Sequence, residues 1–226
     1  MTRYALLGLL MIVPVLAEAA GPLVPDEFGR GPDLSLRFAS AKMPLDYGDH
    51  AYDTKNRWIG LSLREKASQS VTLGMYGGYA YVTQTGNPVT AGVELDGFHA
   101  GFSLHGVMLE NRRISLFYAL DYTYQKVDHT GDTQTVVIDW SQSQAQLGAI
   151  AALTQNFRFY GGGSYGRLDG EERASGTVNR TTAISRDARG GGFLGLDLKT
   201  DPDGYVGIEI RSGLTRGGEI YFKRRY

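Results

Sequence analysis

The sequence predicts an all-β fold in which the strands form a single antiparallel up-and-down β-barrel. Apolar residues alternate with small or polar residues along most of the chain, which is the period of a strand with two different environments. The composition agrees, because 42% of the 226 residues are hydrophobic while 31 are glycine and 14 are tyrosine. A glycine-rich chain with that apolar content is expected to fold rather than to be disordered.

Composition also excludes several classes of function. The chain carries 24 acidic and 23 basic residues, a net charge of −1, so its overall charge gives no support to a nucleic-acid partner. It contains no cysteine, which excludes a disulfide framework, a thiolate metal site and a cysteine nucleophile.

The N-terminus has the pattern of an export signal. Arg3 precedes an apolar run over residues 5–16, which is shorter than the ~20 residues of a membrane-spanning helix. Ala17-Glu18-Ala19 then supplies an A-x-A cleavage site. We therefore expect a signal peptide over residues 1–20, cleaved near Ala19/Ala20, a short periplasmic N-terminal arm over residues 21–32, and the barrel over residues 33–226.

Ten segments show the alternation, and we predict a strand in each. The clearest runs from Ile114 to Gln125, with Ile, Leu and Tyr on one face and mostly small or polar residues on the other. Eight strands are the alternative, if the first and another weak segment do not pair. The ten predicted strands are residues 33–40, 57–66, 70–83, 91–110, 113–128, 133–154, 157–169, 186–199, 204–212 and 217–226.

The connectors between these strands fall into two sets. If the chain starts on the periplasmic side, one set contains only short, turn-like segments, and the other contains the two longest connectors, residues 41–56 and 170–185. Short turns on one side and longer loops on the other are typical of transmembrane barrels. We expect the two long loops to face outward and the loop over residues 170–185 to be mobile and solvated.

The two faces of the strands favour a transmembrane barrel over a soluble β-sandwich. The polar faces are rich in Gly, Ser, Gln and Thr, which suit a crowded or hydrated lumen, whereas a sandwich turns its apolar faces inward. Tyrosines lie towards the strand ends of the apolar faces, at Tyr79, Tyr81, Tyr122 and Tyr124, where a membrane barrel has its aromatic girdle. The expected location is the outer membrane of a Gram-negative bacterium.

The chain resembles the small outer-membrane β-barrel superfamily that includes opacity-type proteins and the OmpA-like transmembrane domain. The resemblance rests on the signal peptide, the alternating strands and the C-terminal run over residues 218–226, and it covers roughly residues 33–226. In that superfamily the barrel assembly machinery recognises a final strand that ends in an aromatic residue. Ile220, Phe222 and Tyr226 match this assembly signal, whereas Arg224 departs from its apolar alternation.

Histidines provide the candidate catalytic and metal sites, but none has a diagnostic spacing. His50 and His129 lie beside carboxylates in predicted outer loops, which is similar to the rim of the omptin proteases, but the Asp-x-His and Asp-x-Asp pairs of that family are absent. His99, Ser103 and His105 share a strand face that suggests a nucleophile and its base. That face is the predicted lumen, whereas lipid A deacylase barrels hold such a pair on the lipid side. We assign no catalytic residue, no metal ligand and no cofactor.

Charged residues on the inward faces form the other candidate site. Ionised groups in a narrow lumen must pair or stay hydrated, so we expect a charge network there, with Glu209, Arg211, Glu219 and Lys223 in one ion-pair ladder. The network makes either a rigid plug or a narrow charged pore, and the small size of a ten-stranded barrel favours the plug. The predicted network consists of Arg37, Arg64, Asp121, Asp197, Glu209, Arg211, Glu219 and Lys223.

The predicted function is that of a non-enzymatic outer-membrane barrel with a structural or surface-interaction role through its extracellular loops. A narrow, porin-like passive channel for small solutes is the alternative, and a hydrolase at the rim or the lipid face is the second alternative. The expected partners are membrane lipid and lipopolysaccharide, the barrel assembly machinery and a surface or envelope protein, without nucleic acid.

Overall fold

A computed structural model describes residues 32–90, 92–111 and 113–226. The predicted signal peptide and nearly all of the N-terminal arm lie outside the described residues. No helix in the described part of the chain is long and apolar enough to cross a membrane. The strands are β1 (Asp33–Tyr47), β2 (His50–Lys66), β3 (Val71–Thr85), β4 (Glu94–Glu110), β5 (Ile114–Thr130), β6 (Gln134–Ala152), β7 (Phe157–Gly176), β8 (Arg180–Lys199), β9 (Gly204–Arg211) and β10 (Arg216–Arg225).

The ten strands close into one ring. Each strand pairs antiparallel with its neighbours in the chain, and β1 pairs with β10 from Asp33↔Arg225 to Lys42↔Arg216. We call the end that holds both the start of β1 and the finish of β10 the turn end, and the opposite end the loop end. The predicted up-and-down barrel of ten strands is confirmed, and the alternative of eight strands is wrong.

Apolar side chains point outward from the ring. On β1, Leu34 and Phe38 are exposed on the outer surface, whereas Ser35 and Arg37 between them are buried inside. The same alternation around the ring produces a continuous exposed surface that we call the apolar belt, so the packing of a soluble sandwich is excluded. Members of the apolar belt include Leu34, Phe38, Leu61, Leu73, Met75, Phe102, Leu120, Leu147, Leu194, Ile220 and Phe222.

The strands continue past the apolar belt at the loop end. The belt finishes there in exposed aromatic residues, among them Tyr79, Tyr81, Phe98 and Tyr122. Beyond them the outer surface carries ion pairs and forms what we call the charged collar. Its pairs are Arg57–Glu94 at 3.6 Å, Arg167–Asp169 at 2.6 Å and Arg173–Glu171 at 2.9 Å.

The two long loops predicted over residues 41–56 and 170–185 are wrong. Residues 41–47 and 50–56 extend β1 and β2, and the two strands meet at a turn where Gly48 has a φ of 71°. The second segment extends β7 and β8 as far as a turn over residues 177–179. The outward residues of these extensions lie beyond the apolar belt and are mostly polar. Along residues 41–47 the alternation reverses, with apolar Met43 and Leu45 inward and polar Lys42 and Asp46 outward. Along residues 170–176 both faces are mostly polar or small, so neither segment continues the apolar outward pattern that precedes it.

An apolar core fills the loop-end half of the barrel. Its side chains come from the inward positions of the strands and from Leu214, which the β9–β10 turn directs into the interior. The core therefore occupies the space that an open barrel would leave to water. Its larger members are Met43, Leu45, Trp58, Val82, Leu95, Val127, Ile138, Trp140, Leu168, Ile184 and Leu214.

Candidate functional site

A layer of charged and polar side chains lies inside the barrel between the apolar core and the turn end. All eight residues of the predicted charge network point into this layer, because each occupies an inward position of its strand. Seven of them are buried, and Asp121 is half-buried against an internal cavity. We call this layer the charged layer.

Arg37 on β1 and Glu219 on β10 form an ion pair where the ring closes. Arg37 Nε and Nη2 donate to Glu219 Oε1 and Oε2 at 2.6 and 3.0 Å. The Arg37 guanidinium also lies over the rings of Trp58 and Tyr76, with its Cζ atom 4.8 and 5.2 Å from their centroids. The buried cation is therefore compensated by a bidentate carboxylate at its edge and by aromatic faces.

Arg211 crosses the interior of the barrel. Its Nη2 donates to Glu209 Oε1 at 2.8 Å on the same strand, and its Nη1 donates to Gln144 Oε1 at 2.9 Å. Gln144 belongs to β6, which is not a neighbour of β9 in the ring. The bond between them therefore occupies the path that a continuous pore would need.

Tyrosines organise the rest of the charged layer. Tyr221 donates its hydroxyl hydrogen to Asp197, and the hydroxyl oxygens of Tyr221 and Tyr160 are 3.2 Å apart. Nearer the turn end, Lys223 Nζ lies 4.9 Å from the ring centroid of Tyr205. The charged network thus includes phenol groups that the sequence analysis did not assign to it.

A cavity of about 30 Å³ remains in the charged layer, and Arg64, His99, Ser103 and His105 help to line it. That volume holds only about one or two water molecules. His99 packs edge-on against Trp58, with ring centroids 4.3 Å apart. Within the described residues no hydrogen bond joins Ser103 to either histidine.

A buried polar cluster closes the loop end above the apolar core. Asn87 and Glu172 are fully buried, and Asn87 Nδ2 donates to Glu172 Oε2 at 2.7 Å. Arg180 Nη2 donates to the other Glu172 oxygen at 3.0 Å. Gln84 Nε2 donates to the Tyr47 hydroxyl at 2.6 Å, and burial raises the pKa of that phenol above its ordinary value although the bond from Gln84 acts in the opposite direction.

This cluster, which we call the polar lid, was not predicted from the sequence. Glu172 and Arg180 fall in the segment that was predicted to be a solvated loop, and Asn87 falls in the β3–β4 connector. One signal was available in the sequence. Glu172 lies four residues after Leu168, at an inward position, so continuing the two-residue period of β7 predicts that its side chain enters the barrel.

The remaining candidates lie apart from these interior layers. His50 is exposed at the first residue of β2, and His129 is half-buried near the end of β5. Among the described residues, no three His, Asp or Glu side chains are grouped closely enough to hold a metal ion. Ile220, Phe222 and Tyr226 of the predicted assembly signal lie exposed on the outer surface.

The sequence matches no family model and no curated protein. Several solved outer-membrane barrels are similar in overall shape. The translocator domain of the autotransporter NalP from Neisseria meningitidis is 10% identical with a TM-score of 0.49, over 88% of this chain and 89% of that one. The outer-membrane protease OmpT from Escherichia coli is 9% identical with a TM-score of 0.48, over 90% and 95%. An outer-membrane channel from Pseudomonas putida F1 is 12% identical with a TM-score of 0.48, over 92% and 100%.

Proposed function

We propose that this protein is a non-enzymatic outer-membrane β-barrel with a closed interior and a structural or surface-interaction role at its loop end. The observation that carries the proposal is the apolar belt on the outside of a closed ring. At the level of the apolar belt the ring has no free strand edge and satisfies its backbone hydrogen bonds internally, and an apolar outer surface is stable only against lipid. The expected location is therefore the outer membrane.

The filled interior supports a closed barrel rather than a channel. The polar lid, the apolar core and the charged layer follow one another along the axis, and the cavity in the charged layer is only about 30 Å³. A passive channel needs a continuous hydrated path, and these layers interrupt it three times. The proposal is non-enzymatic because His99, Ser103 and His105 lack the contacts of a catalytic pair.

The loop end is proposed to face the outside of the cell. The strand ends and the charged collar extend beyond the apolar belt there, whereas the turn end holds both ends of the described barrel, as is usual for the periplasmic side. Since the collar presents charged side chains of both signs on rigid strands, we propose that it contacts lipopolysaccharide and a surface or envelope protein. A flat, charged strand surface favours specific polar contacts over insertion of apolar residues.

The orientation is testable because the chain contains no cysteine. A cysteine placed at Asp49, in the β1–β2 turn, should react on intact cells with a maleimide that does not cross membranes. A cysteine at Ser68, in the β2–β3 turn, serves as the matched control and should react only after the outer membrane is permeabilised. Labelling of the Ser68 variant alone on intact cells would reverse the proposed orientation.

The proposed location is testable by fractionation and gel migration. The protein should be recovered with the outer membrane, and boiled and unboiled samples should migrate differently because a closed barrel resists unfolding by detergent. Recovery of the mature protein from the aqueous periplasm without detergent would contradict the proposal.

A further inference from the structure

The barrel wall has a gap at the loop end, above the β9–β10 turn. β1 pairs with β10 only as far as Lys42↔Arg216, and its next pairing across the ring is Asp46↔Ser185, with β8. On β8, the pairing with β9 begins at Phe193↔Arg211. Residues 43–45 of β1 and 186–189 of β8 therefore border an opening that no strand fills, and the β9–β10 turn closes it below, where Ser212 N donates to Gly192 O at 2.8 Å.

A basic cavity of about 910 Å³ lies at this gap. Five cationic side chains and one carboxylate, that of Asp53, line it. In the described residues none of the five cations forms an ion pair, and the nearby carboxylates of Asp53 and Asp46 are too few to balance them, so the cavity keeps a net positive charge. The five cations are Lys42, Lys55, Arg186, Arg189 and Arg216.

Arg186 contributes a buried positive charge to the wall of the cavity. Its side chain is buried, and its guanidinium donates to the backbone carbonyls of Pro44 at 2.7 Å and Gly213 at 3.3 Å. The Nε atom is buried without a hydrogen-bond partner. Carbonyl oxygens are neutral acceptors, so they satisfy donors without cancelling the charge, and a buried cation in this state is costly.

The depth of the cavity identifies the source of the anion. Lys42 and Arg216 are register partners, and each lies four residues towards the loop end from a member of the apolar belt, Phe38 and Ile220 respectively. At about 3.3 Å per residue, this separation places the cations just beyond the apolar belt, at the level of lipid headgroups. Arginine and lysine recognise phosphate at such sites by charge-assisted hydrogen bonds.

We propose that this cavity, the basic gap, binds the phosphate-bearing headgroup of a lipid in the outer leaflet. The proposal rests on the proposed outer-membrane location. Phosphate oxygens accept from Arg189 and Arg216 at the mouth of the cavity, while the acyl chains lie along the neighbouring apolar belt. The buried guanidinium of Arg186 lies in the wall behind them and adds its positive charge to the site.

The test measures lipid binding by protein refolded in dodecyl maltoside. A fluorescent diphosphorylated lipid A is titrated, with its enzymatically dephosphorylated form as the ligand control and inorganic phosphate as a competitor. The variant is Arg189→Gln with Arg216→Gln, because both side chains are exposed and neither donates a hydrogen bond within the described residues. The matched control is Lys66→Gln with Arg224→Gln, which removes the same charge from exposed positions at the turn end, outside the charged collar.

We expect the diphosphorylated lipid to bind the basic-gap variant at least about tenfold more weakly than the native protein, and the control variant to bind like the native protein. The dephosphorylated lipid should bind weakly to all three. Equal losses in both variants, or equal binding of the two lipids, would overturn the proposal. Displacement of the lipid by an equal concentration of inorganic phosphate would overturn it as well, because the site would then recognise the free ion.

Gel migration of each refolded protein separates this inference from the proposed function. A native protein that migrates as a heat-modifiable barrel and is recovered with the outer membrane, but binds both lipids equally, refutes the basic gap alone. A protein that fails both gel migration and fractionation refutes the proposed function.

Discussion

Arg37 and Glu219 show how a side chain satisfies two constraints at once. Both lie on inward faces, where an isolated charge would have to remain hydrated, and both sit where β1 meets β10. Their bidentate bond neutralises the pair and also ties the first strand to the last. The gain from the pair itself is small once the cost of removing two charges from water is counted, but the loss of either partner leaves the other charge buried.

Replacing one partner of this pair should therefore destabilise the barrel more than replacing both. We expect Glu219→Gln to lower the free energy of unfolding by about 3 kcal/mol, because Arg37 then lacks its carboxylate. The double change Arg37→Met with Glu219→Leu should recover at least half of that loss. Urea unfolding of the refolded protein in lipid vesicles measures both, and a double variant less stable than Glu219→Gln would contradict the argument.

The polar lid provides a second prediction for a single residue. Glu172 is fully buried and accepts from Asn87 and Arg180, so Glu172→Ala should lower the free energy of unfolding by about 1–3 kcal/mol. The neighbouring Glu171→Ala is the matched control, because Glu171 faces the charged collar and should change stability by less than about 0.5 kcal/mol. Equal effects of the two changes would show that the lid adds nothing to stability.

The periodicity of the sequence could predict which residues point into the charged layer, but not which hydrogen bonds and ion pairs they form. Arg37, Glu209 and Glu219 alternate along their strands with apolar outward residues, and this position is enough to predict that their side chains point inward. The partner of each charge depends on the tilt and register of strands that are distant in the chain, as the contact between Arg211 and Gln144 shows. The polar lid was missed because the end of β7 and the start of β8 carry mostly polar or small residues and were predicted to be a loop.

At the scale of the strand, glycine makes room for tyrosine on the neighbouring strand. Tyr221 on β10 lies directly opposite Gly207 on β9, and a Cβ atom at Gly207 would lie 2.0 Å from the Tyr221 ring. Tyr160 lies in the same way against Gly195 on β8. These pairs lay the aromatic rings flat along the inner wall, which brings the Tyr221 hydroxyl to Asp197.

A methyl group at one of these glycines should be poorly tolerated. We expect Gly207→Ala to destabilise the barrel by about 1–3 kcal/mol, since Tyr221 must leave its position to avoid the clash. Gly163→Ala is the matched control, because the nearest atom to its Cβ would be 3.8 Å away. Thermal unfolding followed by gel migration compares the two, and equal midpoints would contradict the role of Gly207.

Strand position was predictable where outward residues are apolar, and strand length was missed where the strands extend beyond the apolar belt. β5 was predicted over residues 113–128 and runs from Ile114 to Thr130, whereas β1 was predicted to end at residue 40 and runs on to Tyr47. In the extension of β1 the inward residues belong to the apolar core and the outward residues are polar, which is the opposite of the pattern over residues 34–38. Alternation reports a difference between two environments, and it changes phase where the interior becomes apolar and the outer environment becomes polar.

At the scale of the whole molecule, the three filled layers along the axis predict a barrel that does not conduct ions. Protein refolded and inserted into planar lipid bilayers should give no stable conductance steps, because the lid, the core and the Arg211–Gln144 bond each block the axis. A general porin inserted in parallel is the positive control. Reproducible openings in the native protein would contradict the closed interior and favour the channel alternative.

The switch of β1 from β10 to β8 gives the molecule a taper. Two of the ten strands stop early, so the circumference near Asp46↔Ser185 is made by eight strands. Barrel diameter grows roughly in proportion to strand number, which makes this end narrower by about a fifth. Eight strands leave an interior that ordinary side chains can fill, so the dry core and its lid need no inserted domain. Lengthening β9 and β10 by a few residues should therefore widen the loop end of the barrel and loosen the packing of the apolar core.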